Sequence, residues 1–124
     1  MKLLATMVIC AVLTGCSQNP KPVVGAANQF DSDSYLTLVT ADSVIQQTKA
    51  ALTANSFPAS IVGNVKTALN GLITAYDVAD TTYIAYHTAA LAGTATPQQQ
   101  AAVTSSLTSV QASISTLTSA KGGN

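Results

Sequence analysis

Beyond residue 30, apolar side chains recur at alternating steps of three and four, the period of an α-helix that buries one face. Leu38, Ala41, Ile45, Thr48 and Leu52 set the first run, with Tyr35 one turn earlier and Val44 on its flank. Asp31, Ser32 and Asp33 stand ahead of it as N-cap acceptors, at the end where the backbone dipole favours negative charge. The run predicts a helix over about 33–55. Asn55-Ser56-Phe57-Pro58 ends it, because the residue before a proline resists helical backbone while Pro58 suits the first turn of the next helix.

The second run is the longest. Val62, Val65, Leu69, Leu72, Tyr76, Ala79, Tyr83, Tyr86 and Ala90 keep the alternation without a miss, and Ile61, Ala68, Ile73, Ile84 and Leu91 widen the stripe. It predicts a core helix over about 58–92, roughly 50 Å long at 1.5 Å per residue. Gly63, Gly71 and the Asp80-Thr81-Thr82 stretch weaken it locally, which leaves room for a kink. After Ala92-Gly93-Thr94, the third run opens with Thr96 as N-cap, Pro97 at the first helical position and Gln99 placed for a capping box. Val103, Leu107, Val110, Ile114 and Leu117 carry it through about residue 120. Its other faces are Ser, Thr, Ala and Gln, so this helix depends on packing. Strands are the rival reading, since Thr, Val and Ile favour them, but the apolar residues do not alternate singly.

Three amphipathic segments joined by short turns imply an all-α, up-down-up three-helix bundle packed near 20°. The uninterrupted seam of the middle segment also suits a coiled-coil oligomer. Ser17 to Gln29, with two prolines and a glycine, has no period and reads as a tether, extended at most about 40 Å. Gly122-Gly123-Asn124 reads as a flexible tail.

Composition narrows the partners. Charged residues are 8% of the 124, with five lysines, five aspartates, no Arg and no Glu. Nucleic acid, which is held by clustered basic side chains, is not indicated. A surface built mainly from Ser, Thr, Asn and Gln solvates well and steers charged ligands poorly.

The first sixteen residues have a different pattern. Lys2 gives a positive start, Leu3 to Leu13 form an apolar run broken only by Thr6, and Leu13-Thr14-Gly15-Cys16 closes it. That is the layout of a secretory signal, and about 11 apolar residues fall short of the roughly 20 that cross a bilayer as a helix. The closing four residues resemble the lipobox of bacterial lipoproteins, with a branched apolar residue at Leu13, small residues at Thr14 and Gly15, and the required cysteine at Cys16. The resemblance covers the leader only. It implies a diacylglyceryl group on the Cys16 thiol, cleavage between Gly15 and Cys16, and often acylation of the new amino group, with chains such as palmitate. Two or three chains give lasting membrane attachment where one is marginal. Ser17 after the cysteine, rather than Asp, resembles cargo sent to the outer membrane in a two-membrane host.

On this reading the chain divides into a signal peptide at 1–15, a lipidated cysteine and tether at 16–30, a helical domain at 31–121 and a tail at 122–124. The 109 residues left after a 15-residue cut suit one small domain. Cys10 goes with the leader and Cys16 carries lipid, so the body has no disulfide and relies on its core or on a partner.

Candidate chemistry in the body is sparse. His87, the sole histidine, shares a shoulder of the middle helix with Asp77 and Asp80, but Asp80 and His87 lie about 10.5 Å apart along the axis, too far for one ion. A histidine half-exposed beside carboxylates, able to switch charge near neutral pH, is the simpler reading. Asp77 and Asp80 are one turn apart and make at most a weak cation site. Tyr76, Tyr83 and Tyr86 take core-facing positions, which means packing with hydroxyls at the rim, or else a groove for a peptide, glycan or apolar ligand. No nucleophile elbow, Ser-x-x-Lys or phosphate-binding glycine loop occurs in the sequence. The chain reads as a non-enzyme with no cofactor or metal. Its expected role is that of a cell-envelope lipoprotein that engages a partner protein or its own copies, with a small-molecule or peptide carrier as the alternative.

Overall fold

The computed structural model describes residues 24–122, so the leader, Gly15 and Cys16, most of the tether and the last two residues lie outside the described residues. Within that range the chain is an all-α three-helix bundle: α1 (Gln29–Thr53), α2 (Ala59–Leu91) and α3 (Pro97–Lys121). No helix among the described residues is long and apolar enough to cross a membrane.

α1 starts four residues before the sequence pattern placed it. Asn28 is the N-cap, its side-chain oxygen accepting from the Asp31 amide at 2.8 Å. Asp31 therefore sits at the third helical position, and its carboxylate reaches back to accept from the Ala27 amide at 2.7 Å. This is the reciprocal logic of a capping box, with the return bond one residue further out. Asp31, Ser32 and Asp33 are not the cap, and Gln29 and Phe30, placed in the tether by their lack of period, are helical.

Both turns close by the same device. The amides of Asn55 and Ser56 donate to the carbonyls of Leu52 and Ala51, and those of Gly93 and Thr94 to Ala90 and Ala89. Each is a Schellman motif, which needs a left-handed residue just past the helix. Asn55 at φ 54° and Gly93 at φ 74° provide it. α3 opens with the expected capping box between Thr96 and Gln99.

α2 runs unbroken through Gly63, Gly71 and Asp80-Thr81-Thr82. It is the spine of the bundle, and its closest partner is α3. The core joins Leu38, Ala41, Val44 and Ile45 of α1 to Val65, Leu69, Leu72 and Ala79 of α2 and to Val110, Ile114 and Leu117 of α3. Thr48 belongs to the α1 stripe although it is polar. It is fully buried, and its hydroxyl donates to the Val44 carbonyl at 2.8 Å, leaving the methyl to face the core. The same i−4 bond recurs on half-buried Thr40 and on exposed Thr74, Thr104 and Thr116, which is how Thr-rich helices satisfy their hydroxyls. Tyr35, Ile84 and Leu91, read as stripe or flank, are exposed, because three helices cover a narrower arc of each surface than the widened stripe.

Candidate functional site

The most chemically distinctive cluster in the body forms where the start of α1 meets the end of α2. Starting α1 at Gln29 turns Asp31 inward, and it is the one buried charged residue among those described, with no exposed surface. Across the interface, His87 Nδ1 lies 2.7 Å from Asp31 Oδ2. An ionised carboxylate only accepts, so Nδ1 carries a proton and donates it to Oδ2.

Tyr83, one turn before His87, stacks on the imidazole with ring centroids 5.5 Å apart, and its hydroxyl is 3.5 Å from Nδ1. Burial, and then the neighbouring Asp31 carboxylate, push the Tyr83 phenol far above its ordinary value. Tyr86 faces Phe30 edge-on at 5.0 Å, and its hydroxyl accepts from the Asn28 side-chain amide at 3.0 Å. Tyr35 completes the ring cluster at 6.4 Å from Tyr83.

The electrostatics of Asp31 are a contest. Burial pushes its carboxyl up, but the Ala27 amide, His87 and Tyr83 outweigh burial and leave it below its ordinary 3.8. Oδ2 takes both close bonds, from Ala27 and His87. Oδ1 is buried with no hydrogen bond of ordinary geometry, although Tyr83 is close enough for phenol and carboxylate to shift one another. A buried oxygen in that position costs about 1–3 kcal/mol, which the charged bonds at Oδ2 must offset.

Of the residues singled out from sequence, the structure brings together His87, Tyr83 and Tyr86. It does not group Asp77 and Asp80 with His87, whose carboxylate partner comes from α1. Asp77 is exposed, and both aspartates act on Tyr76, whose phenol is raised first by burial and then by Asp80, Asp42 and Asp77. Tyr76 itself packs on the core, half-buried. No group of three His, Cys, Asp or Glu side chains able to hold a metal occurs among the described residues. No family model, curated protein or solved structure matches this chain.

Chemically, a buried carboxylate on Nδ1 fixes the orientation of the imidazole ring. The hydroxyl recorded against this ring, that of Tyr83, lies beside Nδ1, the nitrogen already committed to Asp31. The pair thus fastens the start of α1 to the end of α2. Next to it, Tyr86 also lines an open groove of about 720 Å³ with Thr96, Pro97, Gln100 and Thr104.

Asp31 was missed as a site residue because an Asp-Ser-Asp run before a helix looks like capping chemistry. The usable signal was the spacing Asn28-x-x-Asp31, a cap with an acid at the third position.

Proposed function

We propose that this protein is a membrane-anchored lipoprotein of the cell envelope whose helical body acts by contact with a partner protein or with its own copies. The observation that carries the reading is the leader, an apolar run closed by Leu13-Thr14-Gly15-Cys16. Lipid on Cys16 makes the bilayer the first partner. In a two-membrane host, Ser17 directs the product to the outer membrane, facing the periplasm. A contact role for the body agrees with a core filled by its own side chains and with a surface poor in charge. The alternative, a carrier with a tyrosine-lined interior, has less support, since Tyr83 and Tyr86 are buried against neighbouring rings and Tyr76 packs on the core.

The test is mass spectrometry of the native protein together with membrane fractionation of Cys16→Ser. The expected product begins at Cys16, carries diacylglyceryl and acyl mass, and leaves the membrane fraction when the cysteine is replaced. An uncut leader or a bare thiol at position 16 removes both the location and the role. Crosslinking in cells then identifies the contact: a defined heteromeric or homomeric adduct is expected, and a compact monomer with no adduct rejects the contact role.

A further inference from the structure

The start of α1 is fastened to the last turns of α2 by side chains that are almost all polar or aromatic. Before Leu38, the buried positions of α1 are Asp31, Ser32, Ser34 and Thr37. Phe30 meets Tyr86, the Asn28 amide donates to the Tyr86 hydroxyl, and Asp31 meets His87. No large aliphatic side chain is buried in this part of α1, whereas from Leu38 onward the helix enters the aliphatic core. Asp31 is the centre of the fastening. The same oxygen that binds His87 also holds the Ala27 amide, so one charged group ties the helix start both to its own preceding segment and to α2.

We propose that this cluster is a proton-operated clasp, in which neutralising Asp31 frees residues 25–37 from α2 while the α2–α3 hairpin stays folded. A proton enters at Oδ1, the oxygen without a hydrogen bond, and Oδ2 becomes a neutral carbonyl. Charge-assisted bonds are roughly twice as strong as neutral ones, so both donors at Oδ2 loosen together. The direction of the Asp31 ionisation agrees: its carboxylate form is favoured in the folded state, and acid removes that advantage.

The ionisable groups facing the clasp are few. α1 contributes Asp33, half-buried and hydrogen-bonded to Gln29, and Tyr35. α2 contributes Tyr83, Tyr86, His87 and, one turn before Tyr83, Asp80. α3 has a single ionisable side chain, Lys121, at its far end. Acid therefore acts on this end of the bundle through Asp31 and its partner His87, and it finds no buried carboxylate in the α2–α3 pair. The clasp does not depend on lipid at Cys16, so its failure and that of the lipoprotein reading are separate results.

Amide exchange of the full chain by NMR, from pH 7 to pH 3, tests it. Protection factors at residues 31–37 are expected to fall several-fold between pH 5 and pH 3, while those at 65–72 and 110–117 change by less than about 1.5-fold. In Asp31→Asn the same segment is expected to be poorly protected at pH 7 and flat with pH, whereas Asp33→Asn keeps the parent profile. His87→Gln serves if Asp31→Asn does not fold, and is expected to lower protection of 31–37 at pH 7 without affecting 65–72. Loss of protection in all three helices at one pH overturns the clasp. So does a segment that stays protected at pH 3, or an Asp31→Asn or His87→Gln variant that behaves like the parent.

Discussion

From Leu38 to Ala51, α1 buries Leu38, Ala41, Val44, Ile45 and Ala51 with one threonine, Thr48, and from Asp31 to Thr37 the same helix buries Asp31, Ser32, Ser34 and Thr37. One continuous hydrogen-bonded backbone thus passes from a region held by apolar volume to a region held by satisfied polar groups. Apolar burial contributes in proportion to area removed from water and is indifferent to pH. A buried carboxylate contributes only while its charge is matched, so its value depends on conditions and on each partner. The comparison predicts that substitutions in the two regions differ in pH dependence more sharply than in size.

Leu72→Ala should produce the largest effect. Leu72 is fully buried in α2 and belongs to the core cluster that joins all three helices. Removing it leaves a cavity that the bundle can only partly close, for a loss of about 3–5 kcal/mol. Urea melts should show that loss unchanged between pH 7 and pH 5. A loss under about 1 kcal/mol would mean that the core is loose and that the contrast between the regions is not real.

Asp31→Asn comes next, at about 1–3 kcal/mol at pH 7, because the amide keeps an acceptor for Ala27 but gives up the charged bond to His87. The sign with pH follows from the direction of the shift. The Asp31 carboxyl titrates below 3.8 in the folded chain, so its contribution is fully present above about 3.8 and fades as pH falls through the folded value. The parent and Asp31→Asn should therefore begin to converge in stability only below about pH 3.8. Divergence there would place the acid sensitivity elsewhere.

These two positions also explain how much could be read in the sequence. Val65, Leu69, Leu72, Val103, Val110, Ile114 and Leu117 were legible as core because helical period and burial coincide for aliphatic side chains. Thr48 was legible too, since a threonine bonded to its own i−4 carbonyl behaves in a stripe much like valine. The turn residues Asn55 and Gly93 fell within the stretches read as helix ends. The start of α1 was not legible as core. Periodicity treats Asp, Ser and Thr as surface, and the partner that makes Asp31 an interior residue, His87, is 56 residues away. The histidine was recognised as lying beside a carboxylate, but Asp77 and Asp80 were the nearer candidates in the sequence. Pairing across an interface is set by the antiparallel register of two helices, which no local spacing encodes.

Gly71→Ala tests the apolar region in the opposite direction. A Cβ built at Gly71 meets nothing within 4 Å, and the residue lies mid-helix in α2. Alanine there restricts the unfolded chain and favours helix, a gain of about 0.8–1 kcal/mol. The midpoint of thermal unfolding should rise, with the same increment at every pH. A neutral or destabilising result would show that the small side of α2 is needed for close approach by something outside this chain.

Tyr86→Phe should have the smallest effect, and it separates the two kinds of bond within the polar region. The ring stays, so the edge-on contact with Phe30 is kept, and the loss is the bond accepted from the Asn28 amide. That bond is neutral and Asn28 is exposed, so water can replace the hydroxyl as the amide's acceptor. The direct cost is about 0.5 kcal/mol. Asn28 is also the N-cap of α1, and anchoring its amide end at Tyr86 steers its oxygen toward the Asp31 amide, so a freed side chain weakens the cap slightly as well. No charge changes, so the deficit should be the same at pH 7 and pH 3, unlike that of Asp31→Asn. A Tyr86→Phe deficit that collapses in acid along with the Asp31 contribution would mean that cap, ring cluster and carboxylate open as one unit, which makes the clasp larger than the Asp31–His87 pair at its centre.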